Sequence, residues 1–398
     1  MIVWNTFDSD ARVQKEIATL NKAGYTVHVF CRRADPDGPA REQRGPELIV
    51  ERFPRKAGRD TLGAAGFVAT PQRRSGVRQL LHMARQLLIQ QQMVRAMVAM
   101  RPSVIHAHDL NTLIPALQAA RLARVPLIYD AHEFNMDRID QNNWLRPVFR
   151  QIEGFALTRA ARVIVPSPGI AKALARFYSV RRPTVLANWP VLDTGLSPAI
   201  PDLRARLGIE PSRPVALYQG GLQPHRGLEL LVAAMPEVPD LDLVLMGDGR
   251  LREALKKQIA ELGLLGRVHL VPPEPLERLL PTSMTADFGV HPLEAGCLNH
   301  AHASPNKLFE YLHARLPVVV SNLPGMCHAL RQAPGGNPGL MFASGDREEL
   351  TRVLRRMTAD PALRAVLSSR ARAASEAYCW QAQEHSLSDV YEELLEKM

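Results

Sequence analysis

Aromatic residues make up only 6% of this chain, and its four cysteines (Cys31, Cys297, Cys327 and Cys379) lie far apart without a CxxC pair. The cysteine spacing excludes a disulfide framework and a cysteine-based metal knuckle, and it predicts buried or incidental thiols in a reducing compartment. The sequence has no uncharged apolar run near the ~18 residues of a membrane helix, and residues 1–20 show no secretory leader, so a cytoplasmic protein is expected. What is there is an ordinary globular composition, 46% hydrophobic and 22% charged over 398 residues. That length corresponds to two domains, and the composition excludes disordered, collagen-like and membrane-embedded classes.

The charge is uneven. Residues 1–200 carry 28 Lys and Arg against 16 Asp and Glu, a net of +12, while the remainder is net negative. Residues 51–100 alone hold nine basic and two acidic groups, among them Arg55, Lys56, Arg59, Arg73, Arg74, Arg78, Arg85 and Arg95. Such a patch is either a solvated face or a site for anionic lipid or a phosphate-bearing substrate. It lacks the interleaved aromatics of a nucleic-acid surface, so no nucleic-acid partner is expected. The apolar residues of 76–100 recur on a helical period beside Arg78, Arg85 and Arg95, which predicts a basic amphipathic helix packed on its own sheet or laid against a membrane.

Periodicity predicts an alternation of strands and helices throughout. Short strands are expected at 1–4, 25–31, 48–53, 103–106, 126–129, 162–166 and 184–187, with helices at 11–23, 113–122, 148–161 and 169–178 between them. A second series starts at 215–219 and runs through strands at 241–246, 267–271, 286–291 and 317–321, with helices from there to the end. The Pro-containing stretch 188–214 reads as the linker. This is an α/β chain of two doubly wound, Rossmann-like domains facing each other across a cleft, in which ligands sit beyond the carboxyl ends of the strands.

Four stretches place reactive groups at strand ends. His106-Ala107-His108-Asp109 and Asp130-Ala131-His132-Glu133 follow strands of the first domain. Their imidazoles and carboxylates could ligate zinc or iron in a hydrolase, or could simply cap the next helices. Tyr218 to Glu229 (YQGGLQPHRGLE) is a strand running through a Gly-rich turn into a helix; the amides of Gly220 and Gly221 with Arg226 suit a diphosphate. Gly247-Asp248-Gly249 has the same form, with a plain tight turn as its alternative. In Ser304-Pro305-Asn306-Lys307-Leu308-Phe309-Glu310, a helix N-terminus and Lys307 attract an anion, and Glu310 can accept two ribose hydroxyls. The set suggests a nucleoside diphosphate on the second domain.

The ordered stretches DARVQKE, VIHAHD, LIYDAHE, YQGGLQPHRGLELL, LVLMGDG, ADFGV and SPNKLFEYLHARLPVVVSNLP resemble the retaining GT-B glycosyltransferases of family 4, over nearly the whole chain. The resemblance implies an acceptor-binding domain at 1–190 with the helix 380–398 packed back on it, and a nucleotide-sugar domain at 191–379. It implies transfer of a sugar, UDP-linked by preference, to an acceptor hydroxyl, and the basic stretch 51–100 makes a lipid-linked or membrane-presented glycan in surface polysaccharide or glycolipid synthesis the expected acceptor. The protein would then be peripheral on the inner face of the membrane. By the same resemblance His132, Arg226 and Lys307 are catalytic, domain closure bringing His132 to the reacting sugar. Gly220, Gly221, Arg226, Gly247, Ser304, Pro305, Asn306, Lys307 and Glu310 hold the donor, and Asp10, His108, Asp109 and His132 face the acceptor. No cofactor and no metal is required. The family pattern has a carboxylate eight positions before Glu310, where this chain has His302. A nucleotide-sugar epimerase of the same form and a metal-dependent hydrolase built on His106, His108, Asp130 and His132 are the alternatives.

Overall fold

A computed structural model of the chain describes all residues except 9, 34, 36, 55–75, 138–145, 193–201 and 397–398, with the side chains of the helix Gly76–Ala99 described from residue 84 onward. It divides into two compact units: Met1–Ala187 together with Gln383–Met398, and Asn188–Ala382. The basic residues Arg55, Lys56, Arg59, Arg73 and Arg74 lie outside the described residues, as does the side chain of Arg78.

The first unit is built on strands β1 (Val27–Arg32), β2 (Arg41–Gln43), β3 (Leu48–Phe53), β4 (Ile105–His108), β5 (Leu127–Asp130), β6 (Arg162–Val165) and β7 (Thr184–Val185). They run in the orders β1-β3-β2 and β4-β5-β6-β7, parallel except for β2. The expected strand at residues 1–4 is a single bridge residue, Ile2, yet it is the seam of the sheet. Its N–H donates to His106 O (2.9 Å), its C=O accepts from His108 N (3.1 Å), and Phe30 N donates to the neighbouring Met1 O (2.9 Å). Ile2 is fully buried, as a position between two sheet halves and under helices on both faces requires. The edge strand β2, three polar residues, has no alternation and was invisible in the sequence.

Helix Ala11–Lys22 buries Val13, Ile17 and Leu20 at the expected spacing, and Asp10 caps it by accepting from Val13 N (3.2 Å). The C-terminal helix Glu384–Leu395 packs on it. The same end of the chain is fastened where Gln383 exchanges hydrogen bonds with the backbone of Ala187, accepting from its N–H at 2.9 Å and donating to its C=O at 2.5 Å.

The second unit holds β8 (Val215–Gln219), β9 (Asp242–Met246), β10 (Val268–Val271), β11 (Phe288–His291), β12 (Val318–Ser321) and β13 (Gly339–Phe342), all parallel, in the order β10-β9-β8-β11-β12-β13. Counted from β8 this is 3-2-1-4-5-6, the doubly wound order, and the strand order reverses between β8 and β11. β13, which the sequence did not announce, is a four-residue edge strand behind a Gly- and Pro-rich turn. The strands are apolar and buried on both faces, for example Val215–Gln219 throughout.

Candidate active site

In the second unit the groups singled out beforehand gather at the reversal point. β8 and β11 pair only through Ala216↔Phe288 and Leu217↔Gly289, so the strands part before Gln219. Tyr311, from the helix Asn306–His313, fills the opening: its phenol accepts from Gln219 N at 2.9 Å and reaches Val290 O at 3.4 Å. Beyond it the Gly-rich turn begins. Gly247 lies so close beneath Gly220 that a Cβ there would sit 1.9 Å from Gly220 O, and a Cβ on Gly227 (φ +71°) would sit 1.8 Å from Pro292 O. Neither position accepts a side chain, so glycine there lets the turn pack directly against neighbouring backbone.

Lys307 Nζ donates to Tyr218 Oη at 2.9 Å and lies beside Gly220. Burial, and then the nearby Arg226 guanidinium, hold its pKa well below the ordinary lysine value. Two basic groups thus crowd one spot at the mouth of a helix whose N-cap residue, Pro305, offers no side-chain acceptor. An anion there would relieve the repulsion and accept from the helix amides. One turn along, Glu310 Oε2 accepts from Gln219 Nε2 at 2.6 Å, and Gln219 Oε1 in turn accepts from Ser283 Oγ at 2.7 Å. Gln219 is 2% exposed. This relay fixes the position of the Glu310 carboxylate.

Sequence reasoning missed Gln219, Ser283 and Tyr311 as the supports of Glu310. It also missed His291, fully buried at the end of β11 with neither ring nitrogen hydrogen-bonded. Burial, then Lys307 and Arg226, push the pKa of His291 well below the ordinary histidine value, so it is neutral. Ser304 and Asn306 flank Pro305 at the helix start. His302 ends the short helix Leu298–His302.

In the first unit β4 and β5 are in register with His108 opposite Asp130, so the two strand-end motifs meet. Asp130, fully buried, takes a bidentate pair from Arg12 (Nε 2.7 Å, Nη2 3.0 Å). Burial alone would raise its pKa, but Arg12, His132 and bonds from His108 outweigh it and hold the carboxyl well below the usual range. His132 Nε2 lies 3.4 Å from Asp130 Oδ2 and 3.2 Å from His108 Nδ1, and its Nδ1 lies 3.6 Å from Asp109 Oδ2. Burial opposes its charge, but Asp109 and Asp130 prevail and raise its pKa to about 10. His132 is therefore a cation at neutral pH, a donor rather than a general base.

Asp109 adopts φ +66°, a left-handed conformation for a residue with a Cβ, at the end of β4. Strain of that kind costs about 1–3 kcal/mol and concentrates at ligand sites. Asp10 is differently employed: both its oxygens are engaged, one by the helix cap and one by Asn5 Nδ2 at 2.6 Å. Its acceptor-side role therefore has a structural competitor.

Residues 9–189 match the glycosyl transferase 4-like domain, and residues 199–374 match glycosyl transferases group 1. The chain belongs to the group 1 glycosyltransferases, and its two Rossmann-like domains are those of the GT-B fold. Among curated relatives, the sulfoquinovosyl transferase SQD2 of Arabidopsis thaliana is 25% identical over 303 residues, covering 74% of this chain and 58% of that protein. The chain thus spans less than two thirds of this relative's length. The sucrose-phosphate synthase of Thermosynechococcus elongatus superposes with a TM-score of 0.77 at 20% identity, over 100% of this chain and 99% of that one. Anabaena Alr3699/HepE, solved in complex with UDP-glucose, gives 0.72 at 18% identity over 99% and 98%.

Proposed function

We propose that this chain transfers a glycosyl group from a nucleoside diphosphate sugar, with uridine as the base, to an acceptor hydroxyl with retention of anomeric configuration. The observation that carries the reading is the convergence of Arg226, Lys307 and the N-terminus of Asn306–His313 on one spot, one turn from a Glu310 already held by Gln219. The occurrence of UDP-glucose in the Anabaena neighbour supports a uridine donor.

Charge builds on the leaving diphosphate as the sugar becomes oxocarbenium-like. Preorganised cations and helix amides stabilise that state more than the ground state, which lowers the barrier. A departing diphosphate held this way needs neither a bound divalent cation nor a separate acid. Same-face attack assisted by the leaving phosphate gives retention, with His132 acting as a hydrogen-bond donor.

The acceptor is a lipid-linked or membrane-presented glycan. Helix Gly76–Ala99 packs beside Leu110–Ala123, and that helix beside Arg146–Leu157. Together they expose Leu87, Leu88, Ile114, Leu122, Val148 and Phe155 among exposed arginines, and their single carboxylate, Glu153, is buried. Apolar side chains ringed by Arg with no exposed acid suit the interface of an anionic bilayer. No helix among the described residues is long and apolar enough to cross one.

The test is thermal unfolding of the protein with UDP, GDP, ADP and dTDP, each with and without EDTA. Ligand at about 100 times its Kd adds about 2.7 kcal/mol to the folded state, a shift of a few degrees. A rise with UDP that survives EDTA is expected; no rise with any of the four overturns the donor assignment.

A further inference from the structure

The first unit contains four buried polar atoms that meet no hydrogen-bonding partner and face one another: Glu16 Oε1 and Oε2, His106 Nε2 and His108 Nε2. Their residues are 0–1% exposed. His106 and His108, two apart on β4, project from one face of the strand, their rings stacked with centroids 4.3 Å apart. Glu16 descends on that face from the helix Ala11–Lys22, its Oε2 lying 4.0 Å from His106 Nε2 and 3.8 Å from His108 Nε2. Orphaned buried groups of this kind are costly, and three residues contributing them to one spot is not a packing accident.

The gaps identify what belongs between them. At 3.8–4.0 Å no hydrogen bond forms, so a shared proton does not join these atoms. Two ligand bonds of about 2.1 Å sum to about 4.2 Å, so a cation placed between the carboxylate and each imidazole reaches both. The neighbours are those of a ligand set. His106 Nδ1 is 2.9 Å from Tyr391 Oη on the C-terminal helix, and His108 Nδ1 is 3.5 Å from Asp130 Oδ2, contacts that leave each Nε2 lone pair for a metal. Asp130 is itself occupied by Arg12, whose Nε gives its one hydrogen to Asp130 at 2.7 Å, so its 3.1 Å approach to Glu16 Oε1 is only Coulombic.

We propose that His106 Nε2, His108 Nε2 and the Glu16 carboxylate bind a divalent transition metal, zinc by preference, with Tyr391 and Asp130 orienting the two imidazoles. Imidazole donors favour zinc over magnesium or calcium. Enclosed as it is, the ion has no access to a substrate. Its role is to tie strand β4, the helix Ala11–Lys22 and, through Tyr391, the C-terminal helix into one unit, which distinguishes it from a hydrolase centre.

The site is tested on the full chain, without nucleotide, by elemental analysis, and after EDTA treatment by titration with Co²⁺ and Zn²⁺. About one zinc per chain, visible d–d absorption on adding Co²⁺, and a melting temperature that EDTA lowers and Zn²⁺ restores are expected. Glu16→Gln, nearly equal in volume, should abolish the cobalt spectrum, and Tyr391→Phe should weaken zinc affinity about 10–100-fold while leaving the fold intact. Wild-type protein that carries no zinc and gives no cobalt spectrum overturns the proposal. So does metal binding that Glu16→Gln leaves unchanged, because the ion is then held elsewhere.

Discussion

Lys307 shows how a single side chain is readied for an anion. In the free protein, burial and the Arg226 charge depress its pKa well below the lysine norm. An incoming diphosphate cancels the repulsion and raises the pKa again, and a group whose pKa rises on binding takes up a proton. Within the window between the two values, nucleotide affinity therefore falls as pH rises. Calorimetric titration with UDP in buffers of different ionisation enthalpy should show this uptake, and Lys307→Met should remove it. Heats independent of buffer in the wild type would contradict the depressed value. The same substitution, or Arg226→Met, should lower turnover by about 10²–10³, since each removes a preorganised charge from the leaving group. At this scale the sequence was informative for charges and silent on supports. Arg226, Lys307 and Glu310 stand in a motif; Gln219 and Ser283, which hold Glu310, read as an unremarkable strand residue and helix residue. Glu16 was hidden for a related reason, since a carboxylate four residues from Arg12 on a helix reads as a surface ion pair until burial shows otherwise.

At the scale of elements, the legible part was the alternation. Strands at 48–53 and 215–219 lie where β-rich apolar runs bounded by turn residues place them. The rest depended on partners far away in the chain. Ile2 is a strand residue only because β1 and β4 arrive on either side of it, and β2 and β13 are edges too short to carry a period. The reversal between β8 and β11 is likewise tertiary. There the sheet stops supplying an acceptor for Gln219 N–H, and the Tyr311 phenol supplies it at 2.9 Å. Tyr311→Phe keeps the ring and removes the acceptor, leaving that N–H buried and unpaired at a cost of about 1–3 kcal/mol. Chemical unfolding should register the loss. Because Gln219 also holds Glu310, weaker UDP binding should accompany it. A variant as stable as the wild type would show that the opening at the reversal point is satisfied some other way.

For the whole molecule the telling quantity is the asymmetry of charge, +12 over residues 1–200 against a net negative remainder. Not all of that excess is free: Arg12 and Arg52 are buried in ion pairs with Asp130, Glu42 and Asp8. Among the described residues, part of the remainder lies on the helices Gly76–Ala99, Leu110–Ala123 and Arg146–Leu157, where Arg85, Arg95, Arg121 and Arg150 are exposed. Electrostatics alone would bring such a face to an anionic surface at about 1 kcal/mol per basic residue, and salt would undo it within a Debye length of about 8–10 Å. Insertion of Leu87 and Leu88, 57% and 65% exposed, would add a term that salt does not screen. The two contributions separate in one experiment. The protein should co-sediment with phosphatidylglycerol-containing vesicles and not with phosphatidylcholine vesicles at low salt. Raising the salt should weaken the binding but leave a residue that Leu87→Ser with Leu88→Ser abolishes. Binding lost completely to salt would make the face a purely electrostatic one. No binding to anionic vesicles at low salt would remove the membrane from the acceptor assignment and leave the charge to a soluble, phosphate-bearing acceptor.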